Sequence, residues 1–353
     1  MPPIPSSASP RVIIYFQTLH SPDGDPISIL PIITQPNITV THVNLAAIHL
    51  NDPPGNITLN DHVPSHPRYM TLWAELRILQ ASGVKVLGML GGAAKGSFTR
   101  LDLDDATFER YYIPLRDLIR ERGLDGLDLD VEEPMTLAGV IRLIDRLKAD
   151  FGKDFIITLA PVAAALVSDK PEHNLSGFSY EALEVMRNKS IAWYNCQFYC
   201  GWGDVSNTMG YDFMVARGWS PEKLVVGMVT NPSNGSGWVP FETVQEVLLN
   251  LRLKYPKFGG VMGWEYFNSL PGDRERPWEW AAFMTKHMRP SLQPPETKEG
   301  LQPSAQSQRL AAIDSLAHVK PNPVLVDEDT GVKGADAPIP SEFEYFTDGS
   351  VEE

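Results

Sequence analysis

Cysteine is nearly missing from this chain: Cys196 and Cys200 are the only two in 353 residues. Set four apart in an apparent strand, they would stand roughly 13 Å from each other, too far to bond. Both read as free, packed thiols, and so small a supply of Cys or His at ligand spacing excludes a metal site. Long apolar runs are missing too. None reaches the ~18 residues that a membrane span needs, so no membrane partner is expected. The start, Met1-Pro2-Pro3-Ile4-Pro5-Ser6-Ser7, lacks a basic stretch followed by an apolar core and does not read as a secretory leader. The expected location is therefore cytoplasmic, with secretion as the alternative if the natural N-terminus lies upstream. Five Asn-x-Ser/Thr sequons, beginning at Asn37, Asn56, Asn174, Asn188 and Asn234, point the other way, but motifs this short arise by chance.

Positive charge is also scarce. Thirty Lys and Arg face 44 Asp and Glu, for a net charge of −14. From Ser291 onward the chain is Pro-rich and holds twelve acids against Lys298, Arg309, Lys320 and Lys333, so this stretch carries −8 of the total. Its apolar surface is too small to offset ordering entropy, and residues 291–353 are expected to form a mostly disordered acidic tail, with a short helix near Gln306 to Ala317. The remaining −6 is mild and leaves no basic patch, which argues against nucleic acid as a partner. Residues 1–10 read as an N-terminal extension and 11–290 as one folded domain.

Within 11–290, short β-rich runs alternate with helical periodicities. The runs are Arg11 to Thr18, Thr41 to Leu50, Val84 to Gly92, Gly123 to Glu132, Asp154 to Ala163, Ile191 to Gly201, Lys223 to Asn231 and Phe258 to Asn268. Between and after them lie helical patterns at Met70 to Ser82, Phe108 to Arg122, Leu137 to Phe151, Tyr180 to Arg187, Tyr211 to Arg217, Thr243 to Tyr255 and Trp278 to Met288. Gly83, Gly123, Gly152 and Gly218 stand where left-handed caps would end helices. Eight alternations in about 280 residues predict a (β/α)8 TIM barrel, α/β in class, as a single domain. In such a barrel, chemistry gathers at the C-terminal ends of the strands.

The fourth run places Asp128, Asp130 and Glu132 at alternate positions, with Leu127, Leu129 and Val131 between them. On a strand the three acids share one face. At a spacing of roughly 7 Å and an effective dielectric of about 20, two ionised carboxylates repel by roughly 2 kcal/mol, so the row is expected to hold a proton near neutral pH. One carboxyl can then donate a proton while a neighbour stays charged. The bland reading is a solvated face or ion-pair ladder, and the flanking hydrophobic helical patterns argue against it by burying the strand.

Asp125-Gly126-Leu127-Asp128-Leu129-Asp130-Val131-Glu132 resembles the Asp-Gly-x-Asp-x-Asp-x-Glu signature of glycoside hydrolase family 18, nearest to its fungal endo-β-N-acetylglucosaminidases. The likeness extends from about Arg11 to Pro290 through Val12-Ile13-Ile14-Tyr15-Phe16-Gln17-Thr18 and Gly259-Gly260-Val261-Met262-Gly263-Trp264-Glu265-Tyr266-Phe267-Asn268. It implies a retaining, substrate-assisted glycosidase with no cofactor. Glu132 would protonate the glycosidic oxygen and later activate water. Asp130 would orient the substrate's 2-acetamido group and balance charge on the oxazolinium ion, and Asp128 would tune Asp130 from below.

The same resemblance matches Tyr199 to the tyrosine that bonds the acetamido carbonyl, and Trp264 to the tryptophan floor beneath the sugar. Asn195 and Gln197 look like pocket neighbours of Tyr199, and Gly91-Gly92 resembles a Ser-x-Gly-Gly element, with Met89 where serine is usual. From the residues alone, the alternative for Trp264 is a barrel-core aromatic, for the Asn195, Gln197 and Tyr199 row a buried structural network, and for Gly91-Gly92 a strand-end turn. Trp202 and Trp238 lie past the sixth and seventh runs, where they would line a sugar groove or simply pack in loops.

The expected substrate is the GlcNAc-β1,4-GlcNAc core of an N-glycan, free or on a glycoprotein. Chitin oligomers, which contain the same bond, are the alternative; only about 26 residues separate the last two runs, too few for the small domain that many chitinases of the resembled family insert there, and this favours the branched glycan. A non-catalytic lectin is a third reading, opposed by the intact Asp128, Asp130 and Glu132. The protein is expected to act as a monomer.

Overall fold

The computed structural model describes residues 10–289; residues 1–9 and the acidic tail, including the predicted helix near Gln306 to Ala317, lie outside the described residues. Among the described residues nine strands form: β1 (Arg11–Phe16), β2 (His42–Asn51), β3 (Asn56–Leu59), β4 (Lys85–Gly91), β5 (Gly126–Asp130), β6 (Ile156–Leu159), β7 (Trp193–Gln197), β8 (Leu224–Val229) and β9 (Gly260–Trp264). Eight of them pair in parallel, in the order β1-β9-β8-β7-β6-β5-β4-β2, and β1 also pairs with β2, which closes the barrel. The (β/α)8 architecture read from the sequence is the one observed.

The ninth strand corrects the expected count. β3 runs antiparallel to β2, with Asn51 opposite Asn56 and Ile48 opposite Leu59. It extends the rim outside the barrel, and its four residues carry too short a pattern to signal a strand on their own. The other strands match the predicted runs; all but β2, which reaches Asn51, end sooner, so Glu132 and Tyr199 stand just past β5 and β7 rather than within them.

The helices are α1 (Pro31–Thr34), α2 (Met70–Ala81), α3 (Ser97–Leu101), α4 (Asp105–Arg122), α5 (Leu137–Phe151), α6 (Tyr180–Arg187), α7 (Met209–Ala216), α8 (Phe241–Lys254) and α9 (Glu279–Met288). Helix α5 shows why the pattern was readable. Thr136 caps it by accepting from the Gly139 amide at 3.0 Å, which satisfies one otherwise orphaned donor. Val140, Leu143, Ile144 and Leu147 line one face and are fully buried, each worth about 1.5–3 kcal/mol of burial. Gly152, at φ 82°, ends the helix in a conformation that a side chain would resist.

Two apolar clusters divide the molecule. The larger lies between barrel and helices and contains Leu127, Leu129 and Val131. The smaller fills the barrel interior with Ile13, Tyr15, Ala46, Met89, Val225 and Met262. Alternation along β5 therefore sends its leucines outward and its acids inward.

Candidate active site

Three inward side chains of β5 and its extension step up the barrel axis, and each meets different partners. Asp128 is fully buried. Its Oδ2 accepts from the Tyr15 hydroxyl at 2.6 Å, and its Oδ1 accepts from the Thr158 hydroxyl at 2.5 Å and from Asn195 Nδ2 at 3.0 Å. Burial pushes its pKa up, while these three donors pull it back down. The donors favour the ionised form.

Asp130 is 5% exposed. Gln197 Nε2 donates to Asp130 Oδ1 at 3.0 Å, to Glu132 Oε1 at 3.2 Å and to the Ala160 carbonyl at 2.8 Å. One nitrogen thus bonds both Asp130 and Glu132, so their carboxyls sit closer than the roughly 7 Å spacing expected of a regular strand. Glu132 lies beyond the strand end, and the Gln197 amide links it to Asp130. Burial, then the Glu132 and Asp128 charges, hold Asp130 well above the usual carboxylate range. Burial raises Glu132 as well, while its bonds to Gln197 and Asp130 lower it. The proton expected of the row belongs with this pair, because burial raises both carboxyls.

The glycines beside the row permit close approach. Gly92 N donates to the Asp130 carbonyl at 2.8 Å. A Cβ on Gly91 would fall 2.3 Å from the Phe98 ring and 2.5 Å from the Asp130 carbonyl oxygen, and one on Gly92 would fall 2.8 Å from Met89 Cε. Both have φ near +90°, so only glycine fits. Met89 packs inside the barrel with 1% exposure, and the hydroxyls that donate to Asp128 belong to Tyr15 and Thr158.

Above the acids, Trp264 ends β9, half-buried, with its ring 5.6 Å from that of Tyr15. Tyr199 and Trp238 join the same cluster. The Tyr199 hydroxyl takes no hydrogen bond among the described residues, and its pKa is raised far up by burial and then by Asp130 and Glu132. Trp202 is half-buried past β7, its backbone bonded to Tyr199 and Ala164, with no ring contact to the cluster.

Asn195 departs from its expected place in the pocket. It has no exposed surface and is clamped between the Trp193 indole, which donates to it at 3.0 Å, and Asp128. It therefore supports Asp128 from beneath and cannot touch a bound sugar. Cys200 also departs from its expected packing, since it lies past β7 at φ 54° and is exposed, whereas Cys196 is buried.

Two acids went unremarked in the sequence. Glu133, 3% exposed, accepts from the Gly96 and Phe98 amides at 2.8 and 2.7 Å and from the Thr99 hydroxyl at 2.6 Å, pinning the start of α3 to the acid row. Glu265, 6% exposed, accepts from the Gln17 and Thr18 amides at 2.9 and 2.7 Å and from the Thr18 hydroxyl at 2.7 Å. No spacing signal marks either; both were visible only as acids adjoining a marked residue, Glu132 and Trp264. Beside the acids, a cleft of about 590 Å³ is lined by Gln17, Asn51, Asn60, Arg68 and Ser97 among others. It lies over the ends of β1, β2 and β3, next to the acid row but not including it.

The arrangement offers a proton donor, a charged neighbour and an aromatic floor within one open-sided rim, which is the equipment of a glycosidase. Comparison with known proteins agrees. A solved fungal endo-β-N-acetylglucosaminidase from glycosyl hydrolase family 18 is 50% identical, with a TM-score of 0.78 over 81% of this chain and 100% of that one. A chitinase from Aspergillus fumigatus is 57% identical, with a TM-score of 0.72 over 79% of this chain and 99% of its own. Chitinase 2 of Rhizopus oligosporus is 29% identical over 211 residues, which cover 54% of this chain and only 36% of that protein. The chain thus spans little more than a third of that curated relative. The model of "Glycosyl hydrolases family 18" matches residues 11–231; the chain belongs to that family.

Proposed function

We propose that this protein is an endo-β-N-acetylglucosaminidase that cuts the GlcNAc-β1,4-GlcNAc core of N-linked glycans, retaining configuration through an oxazolinium ion. The observation that carries the mechanism is the meeting of two buried carboxyls, Asp130 and Glu132, on the Gln197 amide, near Trp264 and a Tyr199 hydroxyl without a hydrogen bond among the described residues. With a sugar over Trp264, its acetamido N–H donates to Asp130. That contact favours the ionised form of Asp130, so the shared proton shifts to Glu132, where the glycosidic oxygen needs it. The acetamido carbonyl oxygen, held by the Tyr199 hydroxyl, attacks the anomeric carbon as Glu132 protonates the leaving oxygen. The C–O bond breaks, and the ionised Asp130 balances the oxazolinium charge. Glu132, now ionised, removes a proton from water, which opens the ring with net retention.

Substrate choice rests on the open rim. Between Val229 and Gly260 the chain holds only α8 and short turns, so no inserted domain walls a deep slot for a linear polymer. The solved endo-β-N-acetylglucosaminidase supports this reading. Chitin hydrolysis by the same steps is the second reading, favoured by the 57% identity to the Aspergillus chitinase. Incubation with a high-mannose glycoprotein and, separately, with chitin oligomers, followed by mass analysis of the released sugars, decides between them. Release of glycans ending in one GlcNAc supports the first reading; turnover of chitin oligomers alone overturns it.

A further inference from the structure

Two residues beyond Tyr15, Gln17 lines the cleft, half-buried, and its side-chain amide takes no partner among the described residues. Its backbone, in contrast, is held on both sides. The Gln17 N–H donates to Glu265 Oε2 at 2.9 Å, and its carbonyl accepts from Asn60 Nδ2 at 2.8 Å. Asn60 is itself tied to β2, since its Oδ1 accepts from the Ala47 amide at 3.1 Å. Glu265 accepts three hydrogen bonds, all from Gln17 and Thr18, and it follows directly on Trp264.

A buried carboxylate is costly to desolvate, and this one is used wholly to hold two loop residues. The loop it holds presents an uncommitted amide to the cleft, next to the tryptophan that floors the site. We propose that Glu265 is a positioning residue: it locks the Gln17 backbone to Trp264 so that the Gln17 amide hydrogen-bonds the sugar unit next to the one over Trp264, on the non-reducing side. This rests on the glycosidase reading above. Glu265 touches no reacting atom and acts through Gln17.

The test compares two donors of whichever series the wild-type protein cleaves, one with a single sugar on the non-reducing side of the broken bond and one with three or more. Suitable pairs are 4-methylumbelliferyl glycosides of one and three GlcNAc units, or a labelled high-mannose glycan and its two-GlcNAc core. Glu265→Gln keeps the shape but turns an acceptor into a donor. It should raise KM for the extended donor about tenfold, as loss of a well-placed hydrogen bond does, while kcat and the short donor change by less than about twofold. In a Gln17→Ala background, Glu265→Gln should add nothing, because coupled sites are not additive.

Asn60→Gly, which frees the other side of the Gln17 peptide and preserves Asn60's φ of 52°, should reproduce the KM change and serves if Glu265→Gln does not fold. Equal losses with both donors, or effects of Glu265→Gln and Gln17→Ala that multiply, overturn the inference while the activity stands. A wild-type protein that cleaves neither series overturns the glycosidase reading, and this inference with it.

Discussion

The hydroxyl of Tyr15, on β1, donates to Asp128 Oδ2 on β5 at 2.6 Å, across the barrel interior. The bond links Asp128 to Trp264 through one residue, because the Tyr15 ring also leans on Trp264. Tyr15→Phe keeps the ring and removes one of three donors to a fully buried carboxyl. A hydrogen bond to a charged group is worth about 1.5–3 kcal/mol, so kcat should fall roughly tenfold or more. Losing a donor to the ionised form raises the pKa of Asp128 further, so the acid limb of the pH–rate profile should move to higher pH. An unshifted limb would show that Asp128 does not communicate with the reacting pair.

Glu132→Gln should abolish hydrolysis and leave sugar binding in place, since the amide fills the same space but has no proton to give. General acid catalysis contributes about 10²–10⁴-fold. Rates of glycan release, with binding followed by titration calorimetry, check it. Retention of more than about a tenth of the wild-type rate, far above that floor, would remove Glu132 from the role.

The raised carboxyls also predict a pH-dependent stability. A carboxyl whose folded pKa lies above its unfolded value binds more protons in the folded state between the two values, so stability falls as pH rises through that window. Asp130 is such a group. Asp130→Asn removes the titration, and relative to wild type it should gain on the order of 1 kcal/mol at neutral pH, as relief of a strained functional site commonly does. The gain should vanish below about pH 3, under the unfolded carboxyl pKa of about 3.9, where the group is protonated in both folded and unfolded chains. Denaturant melts at both pH values measure it, and an equal difference at the two would refute the linkage.

Removal of residues beyond Pro290 should leave melting temperature and activity unchanged, because that acidic, Pro-rich stretch has the composition of a solvated segment. The described domain already closes on itself without it: Arg289 donates to the Pro10 carbonyl at 3.2 Å. A large drop in melting temperature on truncation would mean that the tail docks on the barrel.

Much of this architecture was legible because two periods announce it. Val140, Leu143, Ile144 and Leu147 repeat as a helix face must, and Asp128 and Asp130 alternate with leucines as a buried strand must. What escaped the sequence depended on partners far along the chain. Asn195 reads like Gln197, but its position two residues deeper places it against Asp128 rather than between Asp130 and Glu132. Glu133 and Glu265 carry no periodic signal at all, since each is defined by loop amides it meets after folding. β3 is too short to reveal itself except as the partner of β2.

The role of Asp130 can be isolated from that of Glu132 by changing the donor. Asp130 is assigned to orienting the acetamido group and balancing charge while the oxazolinium forms, a step that a preformed sugar oxazoline has already completed. Asparagine at 130 can still hydrogen-bond the acetamido group and can still receive the Gln197 amide's neighbourly contacts, but it supplies no negative charge and no proton to pass to Glu132. Formation of the oxazolinium from an intact glycan should therefore slow by several orders of magnitude. Glu132 keeps its own titration, so it can still deprotonate an acceptor hydroxyl and drive addition to the oxazoline. Asp130→Asn should thus build transfer product from oxazoline and a GlcNAc acceptor and barely cleave what it makes, as product mass over time would show. Equal loss with glycan and oxazoline would rule out assistance by the acetamido group and leave Asp130 as a buried structural acid.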